Sequence, residues 1–349
     1  MQPSVKVLFF IIVFMTSLAA CAEKQTQLYI FTRYNSETEI YDYYQADLYA
    51  PSFEKKINVV SCSENGNYEP TWSPNGRYYG CSTNFGRPLF IYDTITNKVI
   101  AKTEPVNPKD PINWYMLGWS PDSQYASIMS TGSTEKPYYD FSIMKFDGSE
   151  LIQIDKQSRA NILSGEWSPN GKLIAHQIYM GDRSYLAIFQ SNGKEIVRLD
   201  LNQSLSPTIF AEEIKWSPDS KKLAIRTLHN IDTDSHLYIW DIESSKVSDL
   251  VSDKSVCIMR ISDWSPNGKT ILFYAVNCNE DDYLNTVLYS INVDGSNIKK
   301  EDFKSLRRTP DGKSIIIDGM YLMDIDGKNK RKIFDNKNHL VNFVSWIIP

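Results

Sequence analysis

Histidine and carboxylate side chains are the first candidates for chemistry in this chain of 349 residues, since together they bind divalent metal ions. Four histidines are present, and His229 and His236 flank one short segment that also carries Asp232 and Asp234. With His176 these side chains could hold a divalent ion. The alternative is that all three are surface or strand-end histidines. On that interpretation we expect no metal and no cofactor.

Motifs for nucleophilic or phosphate chemistry are missing from the sequence. No Gly-x-Ser-x-Gly segment, which would place a serine nucleophile on a sharp turn, occurs anywhere. The segments at 268–270 and 312–314 read Gly-Lys-Thr and Gly-Lys-Ser, but neither has the upstream glycine of a phosphate loop. Asp324-x-Asp326-Gly327 lacks the spaced ligands of a calcium loop. We therefore expect no catalytic residues, and an enzymatic function stays open only as an alternative.

The N-terminal segment predicts export. Lys6 is the only charge ahead of an apolar run from Val7 to Met15, as in a signal peptide. Leu18-Ala19-Ala20-Cys21 then resembles the lipobox of bacterial lipoproteins, in which the cysteine receives the lipid. This predicts a signal peptide over 1–20, lipidation of Cys21 and a short tether over 21–26. The alternative is an ordinary secretory signal with an incidental cysteine.

The residue after Cys21 and the overall charge bear on location and partners. Ala22 takes the place of the aspartate that favours inner-membrane retention, so we expect the outer membrane. The net charge is −5 with both signs interspersed and no basic stripe, which argues against nucleic-acid binding.

A short tryptophan frame repeats along the whole chain. Five copies read Trp-Ser-Pro followed by Asn-Gly or Asp-Ser, at Trp72, Trp119, Trp167, Trp216 and Trp264. A degenerate copy starts at Arg308, and a bare Trp346 follows. The intervals are 47, 48, 49, 48, 44 and 38 residues, and a period of this length indicates a repeat architecture.

Each repeat reads as four short strands, of which the first carries the tryptophan and the Ser-Pro segment turns into the second. Four antiparallel strands per repeat predict a β-propeller blade. Three strands, predicted over 27–32, 46–51 and 56–60, precede Trp72 without a first strand of their own, while 340–348 supplies a first strand alone. We therefore predict an all-β, seven-bladed propeller over 27–349, closed by one C-terminal and three N-terminal strands.

The strand frame also pairs the cysteines. Removing Cys21 leaves four, which allow three pairings, and an exported chain permits disulfides. Cys62 and Cys257 precede first strands, whereas Cys81 and Cys278 lie at the ends of second strands. The start of one antiparallel strand lies beside the end of the next, so we predict Cys62–Cys81 and Cys257–Cys278. The alternative is four free buried thiols.

The Trp-Ser-Pro-Asp/Asn-Gly frame, with its apolar following strand, resembles the TolB-type (PD40) propeller repeat over nearly all of 27–349. Related propellers act as docking modules in the cell envelope, as gating domains of peptidases and as oligogalacturonate lyases. A lyase of that group would hold a divalent ion with a cluster such as that of His176, His229 and His236. The chain departs from TolB itself, since no α/β domain precedes the propeller and it has seven blades in place of six.

Loops on one face provide the remaining functional signal. Loops after second strands and before first strands share a face, and its longest insertions span 34–45, 131–140 and 277–285. Exposed tyrosines beside carboxylates suit a protein or a sugar. The candidate binding residues are Tyr41, Tyr43, Tyr44, Tyr138, Tyr139, Asp281, Asp282 and Tyr283. They could equally be solvated loop tips.

Together these patterns predict a lipid-anchored, exported propeller that acts as a non-catalytic, monomeric docking module for a protein partner in the bacterial envelope. The alternative is a carbohydrate-binding or lyase-like, metal-dependent propeller that uses the same loop face.

Overall fold

A computed structural model describes the residues 28–35, 40–47, 50–57, 59, 62, 69–83, 87–103, 113–132, 139–157, 164–180, 183–205, 209–229, 234–251, 256–278, 286–302, 306–309, 313–317, 321–324, 328–333 and 341–347. The predicted signal peptide, Cys21 and the tether lie outside them. Among the described residues, no helix is long and apolar enough to cross a membrane.

Three strands open the described chain, and they are β1 (Leu28–Asn35), β2 (Ile40–Asp47) and β3 (Ala50–Ile57). Blades 1 to 3 then follow, each of four strands. Blade 1 comprises β4 (Thr71–Trp72), β5 (Tyr78–Cys81), β6 (Phe90–Asp93) and β7 (Lys98–Lys102). Blade 2 comprises β8 (Asn113–Trp119), β9 (Tyr125–Thr131), β10 (Tyr139–Lys145) and β11 (Leu151–Gln157). Blade 3 comprises β12 (Ser164–Trp167), β13 (Leu173–Met180), β14 (Arg183–Gln190) and β15 (Glu195–Asp200).

A one-turn helix, α1 (Leu201–Ser204), separates blade 3 from the next three blades. Blade 4 comprises β16 (Ile209–Trp216), β17 (Lys222–His229), β18 (Asp234–Asp241) and β19 (Lys246–Asp249). Blade 5 comprises β20 (Val256–Trp264), β21 (Thr270–Asn277), β22 (Val287–Asn292) and β23 (Lys299–Lys300). Blade 6 comprises β24 (Leu306–Arg308), β25 (Ser314–Ile317), β26 (Tyr321–Asp324) and β27 (Arg331–Lys332).

The last strand, β28 (Val341–Ile347), closes the ring. It pairs with β1, so the seventh blade has the order β28-β1-β2-β3. Trp346 lies opposite Tyr29 in this pairing. The predicted seven-bladed propeller and its closure by one C-terminal and three N-terminal strands are therefore confirmed.

The first strands of neighbouring blades contact one another, from β4 through β8, β12 and β16 to β20, which places them around the axis. Fourth strands are the exposed outer edges, as the fully exposed β23 and β27 illustrate. The apolar core lies between blades, because one sheet cannot bury both faces alone. The cluster between blades 3 and 4, for example, joins Leu186 and Ile188 to Trp216 and Trp240.

Hydrogen bonds explain why the turn between first and second strands keeps its sequence. In blade 4, Ser217 Oγ donates to Asp219 Oδ1 at 2.6 Å and accepts from Lys222 N at 2.9 Å. Asp219 Oδ1 also accepts from Lys221 N at 3.1 Å, which forms an Asx-type turn. The same bonds recur at Ser73, Ser120, Ser168 and Ser265. The repeated hydroxyl is thus a structural group of the turn.

The closing blade differs from its predicted strands. The segment 34–45 was expected to be a loop, yet β1 runs to Asn35 and β2 begins at Ile40. The predicted second and third N-terminal strands begin at 46 and 56, about six residues later than β2 and β3 do in the structure. Aromatic residues favour strands, and Tyr41, Tyr43 and Tyr44 lie inside β2.

Candidate functional site

Two of the predicted binding tyrosines pack within the ring. Tyr43 lies 5.8 Å from Trp72 of blade 1, measured between ring centroids, and its partial burial, with the nearby Glu69, raises the pKa of its hydroxyl to about 12. Tyr44 stacks on Phe31 at 5.4 Å, with the Arg33 guanidinium 4.9 Å from its ring. These contacts join blades 7 and 1 and stabilise β1 against β2.

Of the other members of the predicted binding set, only Tyr139 is described with its side chain. Tyr139 begins β10 and is partly exposed. Tyr41 lies in β2, and its side chain is outside the described part. Tyr138, Asp281, Asp282 and Tyr283 fall outside the described residues. Their role as a binding face stays a prediction.

His176 is buried between blades 2 and 3. Its ring stacks on Phe141 at 4.2 Å between centroids, and Nε2 lies 3.5 Å from Asp155 Oδ2. Nδ1 has no hydrogen-bond partner among the described residues. Burial lowers the pKa of this imidazole below its ordinary value, although Asp155 opposes that shift. A neutral, stacked ring at this position packs two blades together.

The remaining candidate ligands lie in blade 4. His236 Nδ1 lies 3.1 Å from Asp249 Oδ2, and its ring stacks on Tyr238. The His229 backbone lies opposite Asp234, while its side chain is outside the described part. Within the described ranges, no group of three or more His, Cys, Asp or Glu side chains could hold a metal ion.

Both predicted cysteine pairs are present. Cys62 is bonded to Cys81 with their Cα atoms 5.5 Å apart, and Cys257 to Cys278 at 5.1 Å. Cys62 lies before β4 and Cys257 lies at the start of β20, so each bridge ties the entry of a first strand to the end of the second strand, on the loop side of blades 1 and 5.

A charged group that the sequence interpretation missed lies on the inner strands of blades 3 to 5. We call it the axial cluster. Its members come from β12, β16, β17 and β20, and they are Glu166, Glu212, Glu213, Lys215, Arg226, Arg260 and Asp263. The members Glu166, Lys215 and Asp263 each directly precede the tryptophan of a blade.

One ion pair and one hydrogen bond to the backbone link the axial cluster across blades. Lys215 Nζ donates to Glu166 Oε1 at 3.1 Å, from blade 4 to blade 3. Glu213 Oε2 accepts from the backbone N–H of Ile261 in blade 5 at 2.7 Å. Within blade 4, Arg226 Nη2 donates to Glu212 Oε2 at 2.6 Å. The cluster therefore spans three blades.

Opposite charges offset one another within the axial cluster. The Glu166 carboxylate, together with Glu213 and Asp263, raises the pKa of Lys215. Burial raises the pKa of Glu213, and the Ile261 N–H and nearby cations oppose that shift. Lys215 and Glu166 keep 38% and 43% of their side-chain surface exposed, so a polar ligand can reach both.

A signal for this cluster exists in the sequence. The residues that precede the tryptophan or its equivalent in copies three to six are Glu166, Lys215, Asp263 and Arg307, all charged and alternating in sign. The repeat frame puts these positions at equivalent places on neighbouring inner strands.

The family profile of the TolB beta propeller domain, PD40, matches residues 122–320, which is more than half of the chain. The chain belongs to this family. The PD40 match runs from the turn before β9 in blade 2 to the residues after β25 in blade 6, and it includes the whole axial cluster. No curated protein sequence matches the chain.

Solved structures share the PD40 propeller fold at low sequence identity. The tricorn protease is 14% identical with a TM-score of 0.56 over 86% of this chain, which spans only 33% of that protein. An oligogalacturonate lyase in complex with manganese is 14% identical, with a TM-score of 0.51 over 87% of this chain and 83% of the lyase. An oligogalacturonate lyase from Vibrio parahaemolyticus is 12% identical, with a TM-score of 0.52 over 88% of this chain and 84% of that chain. At these identities the similarity establishes the fold alone.

Proposed function

We propose that this propeller is exported, anchored by lipid on Cys21, and binds a protein partner in the bacterial envelope without catalysing a reaction. The observation that carries the proposal is the axial cluster, in which carboxylates and cations from three blades lie on inner strands, with Lys215, Glu166 and Glu212 partly exposed. Mixed charges of this kind give an interface its specificity and its association rate.

The pairing within the cluster favours binding over catalysis. Glu212 and Glu166 each already accept a hydrogen bond from a cation, and Glu213 accepts one from a backbone N–H. A partner with complementary charges can replace one member of such a pair. A general base would need a carboxylate aimed at a substrate proton.

Exposed side chains beside the cluster extend this surface. Met259 in β20 is 38% exposed, and the next residue, Arg260, has its guanidinium 4.8 Å from the Tyr274 ring. Methionine, arginine and tyrosine are side chains that protein interfaces favour. They lie in the half of β20 that is nearer to the loop face, so a partner on that face would contact them.

Site-specific cross-linking in cells tests this function. A photo-cross-linking residue at Met259 is expected to give one discrete adduct, because it lies beside the axial cluster. The same residue at Ile95, which lies in the turn between β6 and β7 on the opposite face, is the matched control. The adduct should weaken at least tenfold in the double variant Lys215→Glu, Arg260→Glu. Equal adducts from both positions, or an adduct that survives the charge reversal, would refute the proposal.

The competing function is a metal-dependent lyase or sugar-binding activity, favoured by the fold shared with an oligogalacturonate lyase in complex with manganese. It requires a stoichiometric divalent metal in purified protein. Elemental analysis that finds Mn²⁺, Ca²⁺ or Zn²⁺ in the native chain, and its loss in His236→Ala, would favour this alternative over docking.

A further inference from the structure

The end of the chain that carries the lipid joins one particular face. Leu28 begins β1 and pairs with Ile347 at the end of β28 and with Asp47 at the end of β2. In every blade the end of the first strand, the start of the second, the end of the third and the start of the fourth lie on the same side. We call the face formed by these two turns of each blade the turn surface.

The tether is short. Six residues lie between Cys21 and Leu28, and the seven Cα-to-Cα steps of an extended chain span at most about 25 Å. This is comparable to the length of the seven- to nine-residue strands that separate the turn surface from the loop face. A lipid on Cys21 therefore holds the turn surface toward the membrane, while the loop face points away.

We propose that the turn surface of blades 5 and 6 rests on anionic phospholipid head groups of the membrane that holds Cys21. This inference builds on the lipid anchor of the proposed function. It adds a second, protein-borne contact, which fixes how the propeller is oriented.

Charge supports this contact. The turn surface of blades 5 and 6 carries the exposed cations Lys269, Lys299, Lys300, Lys313, Lys328 and Lys330. The described residues of this sector include three opposing carboxylates, while Asp311 and Asp326 of its turns lie outside the described residues. Asp294 accepts hydrogen bonds from Ser296, Asp324 accepts one from Asn329, and Glu301 lies 3.5 Å from Lys299. Among its described residues the sector carries six lysines against three carboxylates, in a chain whose net charge is −5, so its attraction to an anionic surface is local.

An apolar side chain stands among these lysines. Ile298 is 46% exposed at the entry to β23, directly before Lys299 and Lys300. An aliphatic tip beside cations can enter the head-group layer while the ammonium groups bind phosphates. Blade 6 adjoins blade 7, which receives the tether, so this sector lies close to the lipid.

Fluorescence quenching in vesicles tests the proposal with the mature, lipidated protein. One fluorophore is attached at Lys269→Cys on the turn surface and another, in a second variant, at Met259→Cys near the loop face of the same blade. The vesicles contain phosphatidylglycerol and a lipid with a nitroxide head group. We expect quenching of the probe at position 269 and none at position 259.

A lengthened tether separates the surface contact from the anchor. With a flexible Gly-Ser insertion after Gln25, the probe at position 269 should stay quenched on phosphatidylglycerol vesicles and lose quenching on phosphatidylcholine alone. Lys299→Gln, Lys300→Gln and Lys330→Gln together should weaken the contact on the order of 100-fold, since each cation contributes about fivefold. Equal quenching at both positions would overturn the proposal. So would a loss of quenching on phosphatidylglycerol vesicles when the tether is lengthened.

The failure of the anchor is a separate outcome. If the mass of the purified protein lacks acyl chains, the lipidation in the proposed function is wrong. Co-sedimentation of that protein with phosphatidylglycerol vesicles then tests the surface by itself. Binding that the three glutamine substitutions remove would support the surface, and an absence of binding would overturn it.

Discussion

At the scale of single residues, two serines adopt a backbone conformation that glycine adopts in the other well-preserved turns. Ser123 and Ser220 have φ of 60° and 61°, whereas Gly76, Gly171 and Gly268 hold the equivalent position with φ of 66° to 69°. Each serine compensates with a bond between blades, because its Oγ accepts from Asn75 N or Asn170 N of the preceding blade. The alternation of serine and glycine is therefore structural.

Substitutions at Ser220 should separate backbone strain from this hydrogen bond. Ser220→Ala keeps the left-handed conformation and loses the bond to Asn170, so we expect it to lower the free energy of unfolding by about 1 kcal/mol. Ser220→Gly loses the same bond but relieves about 1 kcal/mol of strain, so it should be close to neutral. Denaturant titration measures both variants. Equal destabilisation by alanine and glycine would show that strain has no part in this.

His176 should make the stability depend on pH. Because burial lowers its pKa in the folded state below the ordinary value of 6.5, the unfolded state binds the proton more readily. The contribution is complete above about pH 6.5 and is lost as pH falls from there through the lowered pKa. Denaturant titrations between pH 8 and pH 5 should show a smaller loss in His176→Gln than in the native chain. Parallel curves would contradict the neutral, buried ring.

At the scale of elements, three of the tryptophans link a first strand to the one before it. Trp119, Trp216 and Trp264 each donate from Nε1 to the carbonyl directly before the tryptophan of the preceding blade, at 2.9, 2.9 and 3.0 Å. The indole of Trp167 has no such partner among the described residues. The repeated tryptophan thus contributes packing and, in these three blades, a hydrogen bond to the preceding blade.

Replacing these indoles by phenylalanine should distinguish packing from hydrogen bonding. Trp216→Phe removes the donor to Glu166 O and leaves a buried acceptor unsatisfied, which costs about 1 to 3 kcal/mol. Trp167→Phe removes a similar volume without a bond, so we expect it to destabilise the protein by about 1 kcal/mol less. Denaturant unfolding of both variants checks the difference, and an equal loss in the two would argue against the ladder of indole bonds.

The two disulfides should stabilise their blades independently. They join cysteines 19 and 21 residues apart, so each closes a loop worth about 3 kcal/mol in the chain-entropy model. Cys257→Ser with Cys278→Ser should lower the free energy of unfolding by about that amount and leave the Cys62–Cys81 bridge intact. Non-reducing peptide mapping verifies the remaining bridge. The same mapping of the native chain tests the pairing itself, since a bridge that joins a cysteine of one pair to a cysteine of the other would contradict the strand frame.

Sequence periodicity was sufficient for the ring and insufficient for parts of its surface. The Trp-Ser-Pro frame located first strands because one turn geometry demands those residue types. Blade 7 lacks that frame on its N-terminal side. The sequence therefore predicts β2 too far along the chain and places its tyrosines in a loop. His176 illustrates a second limit, because whether a polar ring faces solvent or a neighbouring blade depends on contacts between distant residues.

At the scale of the whole molecule, closure makes the termini interdependent. β28 covers the edge of β1 and brings Ile347 beside Leu28. An uncovered edge would expose backbone groups and leave blade 7 with three strands. The buried Tyr29, Ile30 and Phe31 of β1 pack toward both neighbouring blades, so a defect in blade 7 reaches blades 6 and 1.

A truncated chain and a circular permutant should therefore behave in opposite ways. Deleting residues 341–349 removes β28, and we expect the chain to aggregate or to lose cooperative unfolding, because the ring loses its closing strand. A permutant that joins Ile347 to Leu28 by a short linker, with new ends between Gly132 and Tyr139, keeps four strands in every blade and should fold. Its blade 2 is then closed by two strands from each end. Size-exclusion chromatography and tryptophan fluorescence during denaturation compare them. A truncated chain that unfolds at the same denaturant concentration as the complete chain would show that the ring does not depend on the pairing of its two ends.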